Sequence, residues 1–364
     1  FNIMIMSGVF LAAIKIGGVM LGFSPVETVL VASVITVIYS SMGGLKGVII
    51  TDFFQFILAM GATFWAAHYL IDLPQIGSLE NLLTHPNVIP KLNFIPDLSQ
   101  RELLITLFVL PIAVQWWSVW YPGAEPGGGG YIAQRMLSAK GKKNAIWATM
   151  LFNFAHYAIR PWPWILIALA SLIIFPDLAS IQTAFPQIDP GIIRDDLAYP
   201  AMMTLLPAGA IGLVVASLIA AFMSTISSHL NWGSSYVVFD FYQRFISPSA
   251  SEKQLVAVGR WSILLLMLFS ALFALVLSNA LQAFQILLQI GAGTGLLFIL
   301  RWFWHRINAY SELTAMLVSF VLAIYFQVVH VALGFDAIPN DLQFLLSVGI
   351  TTFAWVGVTL LTKP

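Results

Sequence analysis

The chain contains a series of apolar runs, each about as long as a lipid bilayer is thick, and this feature limits its fold more than any other. A spanning helix needs about 20 mostly apolar residues. In lipid, backbone hydrogen bonds must be satisfied within the segment, so we expect an all-α integral membrane protein. Ten segments meet the requirement: Asn2–Leu21, Val26–Met42, Phe53–Leu70, Leu103–Tyr121, Ala145–Phe175, Ala208–Leu230, Leu255–Leu277, Leu281–Trp304, Leu313–Leu333 and Leu345–Leu361.

Composition and charge support this fold class and exclude several functions. Charged residues make up 9% of the 364 residues, whereas soluble domains carry about 25%. The 16 basic and 16 acidic residues balance, so the chain lacks the basic excess typical of nucleic-acid binding. It has no cysteine for a disulfide, thiolate metal site or nucleophile. No catalytic triad, phosphate loop or zinc motif is apparent, so we do not expect an enzyme.

The basic residues favour one orientation in the membrane. If Gly43 and Gly44 form a tight cytoplasmic turn marked by Lys46, alternation of ten spans places 11 of the 16 Lys and Arg residues inside. The positive-inside rule prefers this arrangement. The outer loops Asp72–Glu102 and Pro176–Pro207 are expected to form short surface helices or lids. We therefore expect a multi-pass protein of the plasma (inner) membrane.

Asp52 is the first candidate functional residue, because it follows the predicted turn and enters an apolar segment. An ionisable side chain within a span is costly and is a functional candidate by default. The alternative is that Asp52 caps a helix from the membrane interface. The residues alone leave both explanations open.

Four hydroxyl side chains, Ser224, Thr225, Ser227 and Ser228, are clustered in the sixth apolar segment. Hydroxyls and backbone carbonyls are hard, neutral oxygen donors, which suit a weakly charged cation such as sodium. At helical spacing, three of them share a face with Ala221. The alternative is close helix packing, with the hydroxyls bonded back to carbonyls of their own helix.

The stretch Gln115–Tyr131 predicts a broken helix, since two prolines and five glycines interrupt an aromatic-rich run. Irregular backbone at membrane depth persists where it is buried in protein or lines a cavity. Trp116 and Trp117 are typical of an interfacial aromatic belt. We expect Tyr121 to face a cavity, and Glu125 to act as a ligand or as the buried partner of a cation.

Charged and titratable residues in three other segments allow further predictions. The fifth segment is expected to break or bend at Pro161 and Pro163, and it carries Arg160 one turn from His156. An Arg at this depth could clamp an anion, but pairing with an acid or a helix end is favoured. Lys15 and Glu27 could pair across the short turn between the first two segments.

Three stretches, "YSSMGGLKGVIITDFFQF", "GYIAQRMLSAK" and "AAFMSTISSHLN", together resemble the sodium:solute symporter family, which includes sodium/glucose and sodium/proline cotransporters. The resemblance implies the inverted-repeat bundle shared with the leucine transporter, here partial, with about ten transmembrane helices, one of them broken. It further implies that residues 1–364 form a single symporter domain. This domain would lack the leading accessory helix and the first two core helices.

The resemblance also implies Na+ as the coupling ion and assigns its ligands. Ala221 is similar to the position that gives a backbone carbonyl to sodium, and Ser224 and Thr225 to the paired hydroxyl ligands. Asp52 resembles an acidic residue implicated in sodium release or in a further cation site. Ser228 resembles the hydroxyl partner of that acid.

The implied function is sodium-coupled secondary active uptake of a small organic solute through a lipid bilayer, with a sugar as the first choice and a small carboxylate or amino acid as the second. Gln285, or else Gln289, resembles a glutamine that contacts sugar in sugar-transporting members. Asn153 lies where such members tend to carry Lys, which weakens the sugar interpretation. Tyr121 and Glu125 complete the substrate candidates. The alternative is a symporter-like membrane sensor domain of a signalling protein.

Overall fold

The computed structural model describes residues 2–93, 95, 99, 101–115, 117, 130–191, 193–277, 280–336 and 338–363, and all regular elements in these ranges are helices. This confirms the all-α prediction. The α-helices are α1 (Asn2–Ile16), α2 (Pro25–Ile71), α3 (Leu79–Thr84), α4 (Arg101–Leu104), α5 (Gly130–Leu137), α6 (Lys142–Asn153), α7 (Pro161–Ile174), α8 (Leu178–Ala184), α9 (Ala198–Met203), α10 (Ala208–Ser235), α11 (Glu252–Ala274), α12 (Ala280–Leu300), α13 (Ala309–Ile324), α14 (His330–Ala332) and α15 (Asn340–Leu361).

Several α-helices are directly preceded or followed by a π-helical segment, in which each hydrogen-bonded turn is one residue wider. These segments are Gly17–Leu21, Ile105–Val109, Pro111–Gln115, Phe154–Ile159, Tyr236–Ile246 and Tyr325–Val329.

Seven helical runs in the described ranges are long and apolar enough to cross a membrane. Two shorter apolar helices, Pro25–Ile38 and Gln285–Leu300, match further predicted segments. The predicted segment Leu103–Tyr121 begins within α4 and extends beyond the described residues. The seven runs are Asn2–Leu21, Ile49–Ile71, Lys142–Ile174, Ala208–Ile246, Glu252–Ala274, Ala309–Val329 and Asn340–Leu361.

The tight turn predicted at Gly43 and Gly44 is wrong, because the second and third predicted segments form one helix, α2, of 47 residues. Glycine in a helix interior costs only about 1 kcal/mol relative to alanine, so long helical flanks can carry the helix through this stretch. At 1.5 Å per residue α2 is about 70 Å long, more than twice the thickness of the hydrocarbon core. The membrane orientation that started from this turn stays a prediction.

The irregularity predicted at Pro161 and Pro163 takes the form of a change in winding. The run Phe154–Ile159 is π-helical, and the Arg160 N–H bonds to Ala155 O at 2.9 Å. Pro161 is then the first residue of α7. A proline there does not interrupt the helix, since the first N–H groups of a helix have no intrahelical acceptor.

The two long loops contain short helices, as predicted, and pack onto the spans. The first loop carries α3 and the second carries α8 and α9. Leu82 of α3 and Met202 of α9 share a buried core with Ile167 of α7. Burial raises the pKa of Tyr199 on α9 to about 12, so its phenol remains protonated at neutral pH.

The chain packs as two compact units. The large unit comprises Asn2–Asn93 and Ala139–Ala280, and the small unit comprises chiefly Phe94–Ser138 and Leu281–Pro364. In the large unit, α1, α10 and α11 bury a common apolar core in which the Phe10 and Phe222 rings meet edge to face at 5.1 Å. In the small unit, α12, α13 and α15 pack together. The four hydroxyl residues of the sixth predicted segment lie on α10, in the large unit.

Candidate functional site

A carboxylate on α2 is hydrogen-bonded by two hydroxyls on α10. Ser224 Oγ donates to Asp52 Oδ1 at 2.6 Å, and Ser228 Oγ donates to Asp52 Oδ2 at 3.4 Å. The two serines lie one helical turn apart, so both can reach the same carboxylate. Ser228 is 5% exposed, whereas Ser224 and Asp52 are half-buried. We name Asp52, Ser224 and Ser228 the carboxylate–hydroxyl cluster.

Asp52 does not cap a helix, which removes one of the two explanations left open by the sequence. It lies near the middle of α2, whose N-cap is Ser24. The Ser24 side chain accepts from the Glu27 N–H, and the Glu27 side chain accepts from the Ser24 N–H. The Asp52 carboxylate is thus free of a capping role and faces the hydroxyls of α10.

The other two hydroxyls of α10 bond back to their own helix. Thr225 Oγ1 donates to Ala221 O at 3.0 Å, and Ser227 Oγ donates to Ser224 O at 3.2 Å. Such back-bonds are common for Ser and Thr in helices. A hydroxyl that donates a hydrogen bond keeps its own lone pairs. Thr225 Oγ1 and Ala221 O can therefore still act as two adjacent oxygen ligands of a cation.

Gln55, near the carboxylate–hydroxyl cluster, belongs to the first of the three family-like stretches, but the sequence analysis gave it no role. It lies three residues after Asp52 on α2, so the two side chains share a face of the helix. Its Oε1 atom is buried and has no hydrogen-bond partner. The spacing from Asp52 was the signal that could have identified it as a further oxygen donor.

The substrate candidates are dispersed in the structure. Tyr121 and Glu125, with the Gly-rich stretch around them, lie outside the described residues. Asn153 donates its amide to Thr149 O at 2.9 Å, one turn back on α6. Of the two glutamines on α12, Gln285 is half-buried and Gln289 is 1% exposed.

Arg160 and His156 interact with each other. Arg160 Nη1 lies 3.1 Å from His156 Nδ1, one turn earlier, and Arg160 is exposed. Pairing of Arg160 with an acid or a helix end stays a prediction.

Lys15 pairs with Asp196, and the predicted pairing with Glu27 is wrong. Lys15 Nζ lies 2.6 and 2.7 Å from the two carboxylate oxygens of Asp196. The Lys15 side chain is 3% exposed and that of Asp196 is 28% exposed. Glu27 instead takes part in the helix cap with Ser24, which its position three residues after a serine could have indicated.

These features define a class: a multi-span helical membrane protein with an ionisable group held between two apolar helices. The model of the sodium:solute symporter family matches residues 1–319. The chain therefore belongs to the sodium:solute symporter family, a family of transporters and not of enzymes.

Relatives and a solved structure agree with this assignment. The chain is 26% identical over 353 residues to a sodium/glucose cotransporter of Vibrio parahaemolyticus, covering 90% of this chain and 62% of that protein. It is 30% identical over 302 residues to sodium/myo-inositol cotransporter 2 of Homo sapiens, covering 75% and 43%. The chain thus spans about half the length of the curated relatives it matches.

The substrate-bound outward-open structure of a Na+-coupled sialic acid symporter shares the fold. Its TM-score is 0.57 at 21% sequence identity, covering 99% of this chain and 74% of that one. This likeness confirms the predicted fold class, a leucine-transporter-like helical bundle.

Proposed function

We propose that the protein mediates sodium-coupled uptake of a small polyhydroxylated solute. Family membership supports sodium-coupled solute transport. The relatives named above carry glucose or myo-inositol in their names, and both compounds present several hydroxyls. A sugar or related polyol is therefore the first candidate, and a small carboxylate or amino acid is the second.

The observation that carries the sodium assignment is the hydrogen bond of 2.6 Å from Ser224 to the Asp52 carboxylate. Partly buried carboxylate and hydroxyl oxygens are hard donors, which fit a small hard cation. We propose that Asp52, Ser224 and Ser228 bind sodium, with the Gln55 amide oxygen as a further donor. Thr225 Oγ1 and Ala221 O would supply the adjacent pair of neutral donors.

For the solute, we propose Gln285 rather than Gln289 as a contact, and the exposed surface that Gln285 retains supports this choice. Asn153, Tyr121 and Glu125 remain proposed contacts on the basis of the family resemblance. If bound sodium raises the affinity for the solute by a given factor, the bound solute must raise the affinity for sodium by the same factor. Three further expectations stay predictions. They are the location in the plasma membrane, the absence of the leading accessory helix and the first two core helices, and the alternative of a sensor domain.

Solute uptake by the full-length protein in proteoliposomes tests this proposal. An inward sodium gradient is expected to drive accumulation of at least one compound from a panel of glucose, myo-inositol, a sialic acid, a small carboxylate and an amino acid. Ser224→Ala and Thr225→Ala are each expected to lower the sodium-driven rate by about tenfold or more, because each removes an oxygen donor worth at least about 1.4 kcal/mol.

The matched control is Ser217→Ala on the same helix, where the hydroxyl is 2% exposed and donates to Val214 O. It lies about two turns before Ser224 and is expected to keep uptake near the wild-type level. Equal uptake in sodium and in choline for every compound of the panel would contradict the proposal.

A further inference from the structure

Helix α15 carries a buried polar stripe, which no part of the proposed transport site uses. Its members are four residues apart, so consecutive members are neighbours in a row that winds slowly around about 24 Å of the helix. Each of them is 6% exposed or less. The stripe consists of Gln343, Ser347, Thr351, Trp355 and Thr359.

Side-chain and backbone groups satisfy both ends of this stripe. At one end, Gln343 Oε1 accepts from Gln327 Nε2 at 2.8 Å, and Gln343 Nε2 donates to Ile338 O at 2.7 Å. At the other end, Thr359 Oγ1 lies 2.6 Å from both Ser311 Oγ and Trp355 O. The polar ends of α15 thus follow the rule that buried polar groups are hydrogen-bonded.

The middle of the stripe departs from that rule. Ser347 Oγ, Thr351 Oγ1 and Trp355 Nε1 are buried without hydrogen-bond partners, and so is Oε1 of Gln289 on α12. Polar groups left unpaired in a membrane protein interior are costly, because neither lipid nor bulk water compensates them. Three of these atoms are oxygens on two helices of the same unit.

The register of α12 against α15 places Gln289 level with Ser347. A Cβ at Gly293 would lie 3.2 Å from Thr351 Oγ1, so these two residues meet. Leu297 and Trp355, each one turn further along, share a buried cluster. The two helices therefore run in the same direction. One turn before Gly293 and Thr351, Gln289 and Ser347 occupy corresponding positions.

We propose that the α12–α15 interface binds ordered water between Gln289 and Ser347. Gln289 Oε1 is an acceptor and the Ser347 hydroxyl is a donor and acceptor, yet they do not bond to each other. A water molecule that donates to the amide oxygen and accepts from the hydroxyl satisfies both. Buried waters generally hold two to four such partners, and Thr351 Oγ1, one turn away, is the third.

A monovalent cation fits these atoms less well. The unpaired oxygens come from neutral side chains, so a buried cation would have no carboxylate here to offset its desolvation. The hydroxyl hydrogens of Ser347 and Thr351 would also remain without acceptors. Water supplies both donors and acceptors, and this difference decides the ligand class.

The sign of a stability change tests the proposal in the purified protein in lipid nanodiscs. Gln289→Met and Ser347→Ala remove one partner each with little change of shape. If water bridges the two, each variant is expected to lower the thermal unfolding midpoint by about 2–4 °C. The double variant is expected to fall no further than the worse single variant, because both act through one bridge.

If the interface were dry, the same substitutions would remove a polar group already unpaired and would raise the midpoint, which overturns the proposal. Ser319→Ala is the matched control, since Ser319 is 0% exposed in the same unit and donates within its own helix to Met316 O. A midpoint that rises with sodium but not with choline, and loses this response in Gln289→Met, would identify a cation instead and also overturn it.

Hydroxyl-radical footprinting in 18O-labelled water gives a second measurement that needs no variant. Ordered water at this level is expected to label Phe344, which is 5% exposed and shares a cluster with Ala292, several-fold faster than an equally buried phenylalanine elsewhere. Phe10, which is 0% exposed in the core of α1, α10 and α11, is the reference. Equal, slow labelling of both rings would contradict ordered water at this interface.

Discussion

Asp196→Ala is expected to destabilise the protein by about 3–5 kcal/mol, because it leaves the Lys15 ammonium buried without a counter-charge. Lys15 is 3% exposed, whereas Asp196 is 28% exposed. Removing the Asp196 carboxylate therefore leaves the more deeply buried Lys15 ammonium unpaired. Lys15→Met is expected to cost less, since the remaining carboxylate still reaches solvent. The expected fall in the unfolding midpoint for Asp196→Ala is on the order of 10 °C.

Thermal unfolding of the detergent-solubilised protein measures this effect. The double variant Lys15→Met with Asp196→Leu is expected to recover much of the loss, because apolar replacement of a buried ion pair is often neutral. Glu27→Gln is the control, since Glu27 is an exposed acid that does not contact Lys15. A midpoint for Asp196→Ala within about 1 °C of wild type, or a greater loss in Lys15→Met, would contradict the burial argument.

Asp52→Asn is expected to weaken the apparent sodium affinity by about 10-fold to 100-fold. Hydrogen bonds to a charged group contribute about 1.5–3 kcal/mol, and a neutral amide also removes the charge that attracts the cation. The amide nitrogen is a donor, so it competes for the lone pairs of Ser224 or Ser228 instead of accepting from them. Initial rates of uptake by the full-length protein, measured against sodium concentration, report the change.

The control for this prediction is Asp240→Asn, which neutralises an exposed acid in the π-helical segment Tyr236–Ile246. It leaves the carboxylate–hydroxyl cluster intact and is expected to keep the sodium dependence of wild type. An Asp52→Asn protein that transports with unchanged sodium affinity would exclude Asp52 from the site.

The spans could be predicted from the sequence because lipid makes hydrophobicity a direct signal of structure. The two prolines also predicted an irregularity in the fifth segment, although not its form, a π-helical turn before Pro161. The turn at Gly43 and Gly44 could not be excluded, because two glycines are compatible with both a turn and a helix interior. Packing along the rest of α2 decides between them.

The contacts of the charged residues could be predicted only in part. The cluster joins Asp52 to Ser224 across 172 residues, and the ion pair joins Lys15 to Asp196 across 181 residues. No periodicity links such positions. The family resemblance related Asp52 to Ser228, whereas the shorter hydrogen bond is to Ser224, one turn away on the same face.

Sodium-dependent stabilisation of the purified protein tests most directly whether the carboxylate–hydroxyl cluster binds sodium. At constant ionic strength, replacing choline with sodium is expected to raise the unfolding midpoint, since a ligand at 100 times its dissociation constant stabilises by about 2.7 kcal/mol. The rise should persist in Ser217→Ala and should fall to about half or less in Asp52→Asn, since a 10-fold to 100-fold weaker affinity leaves sodium at about 10 times to one times its dissociation constant. Identical midpoints in sodium and choline for the wild-type protein, or an equal rise in Asp52→Asn, would contradict sodium binding at these residues.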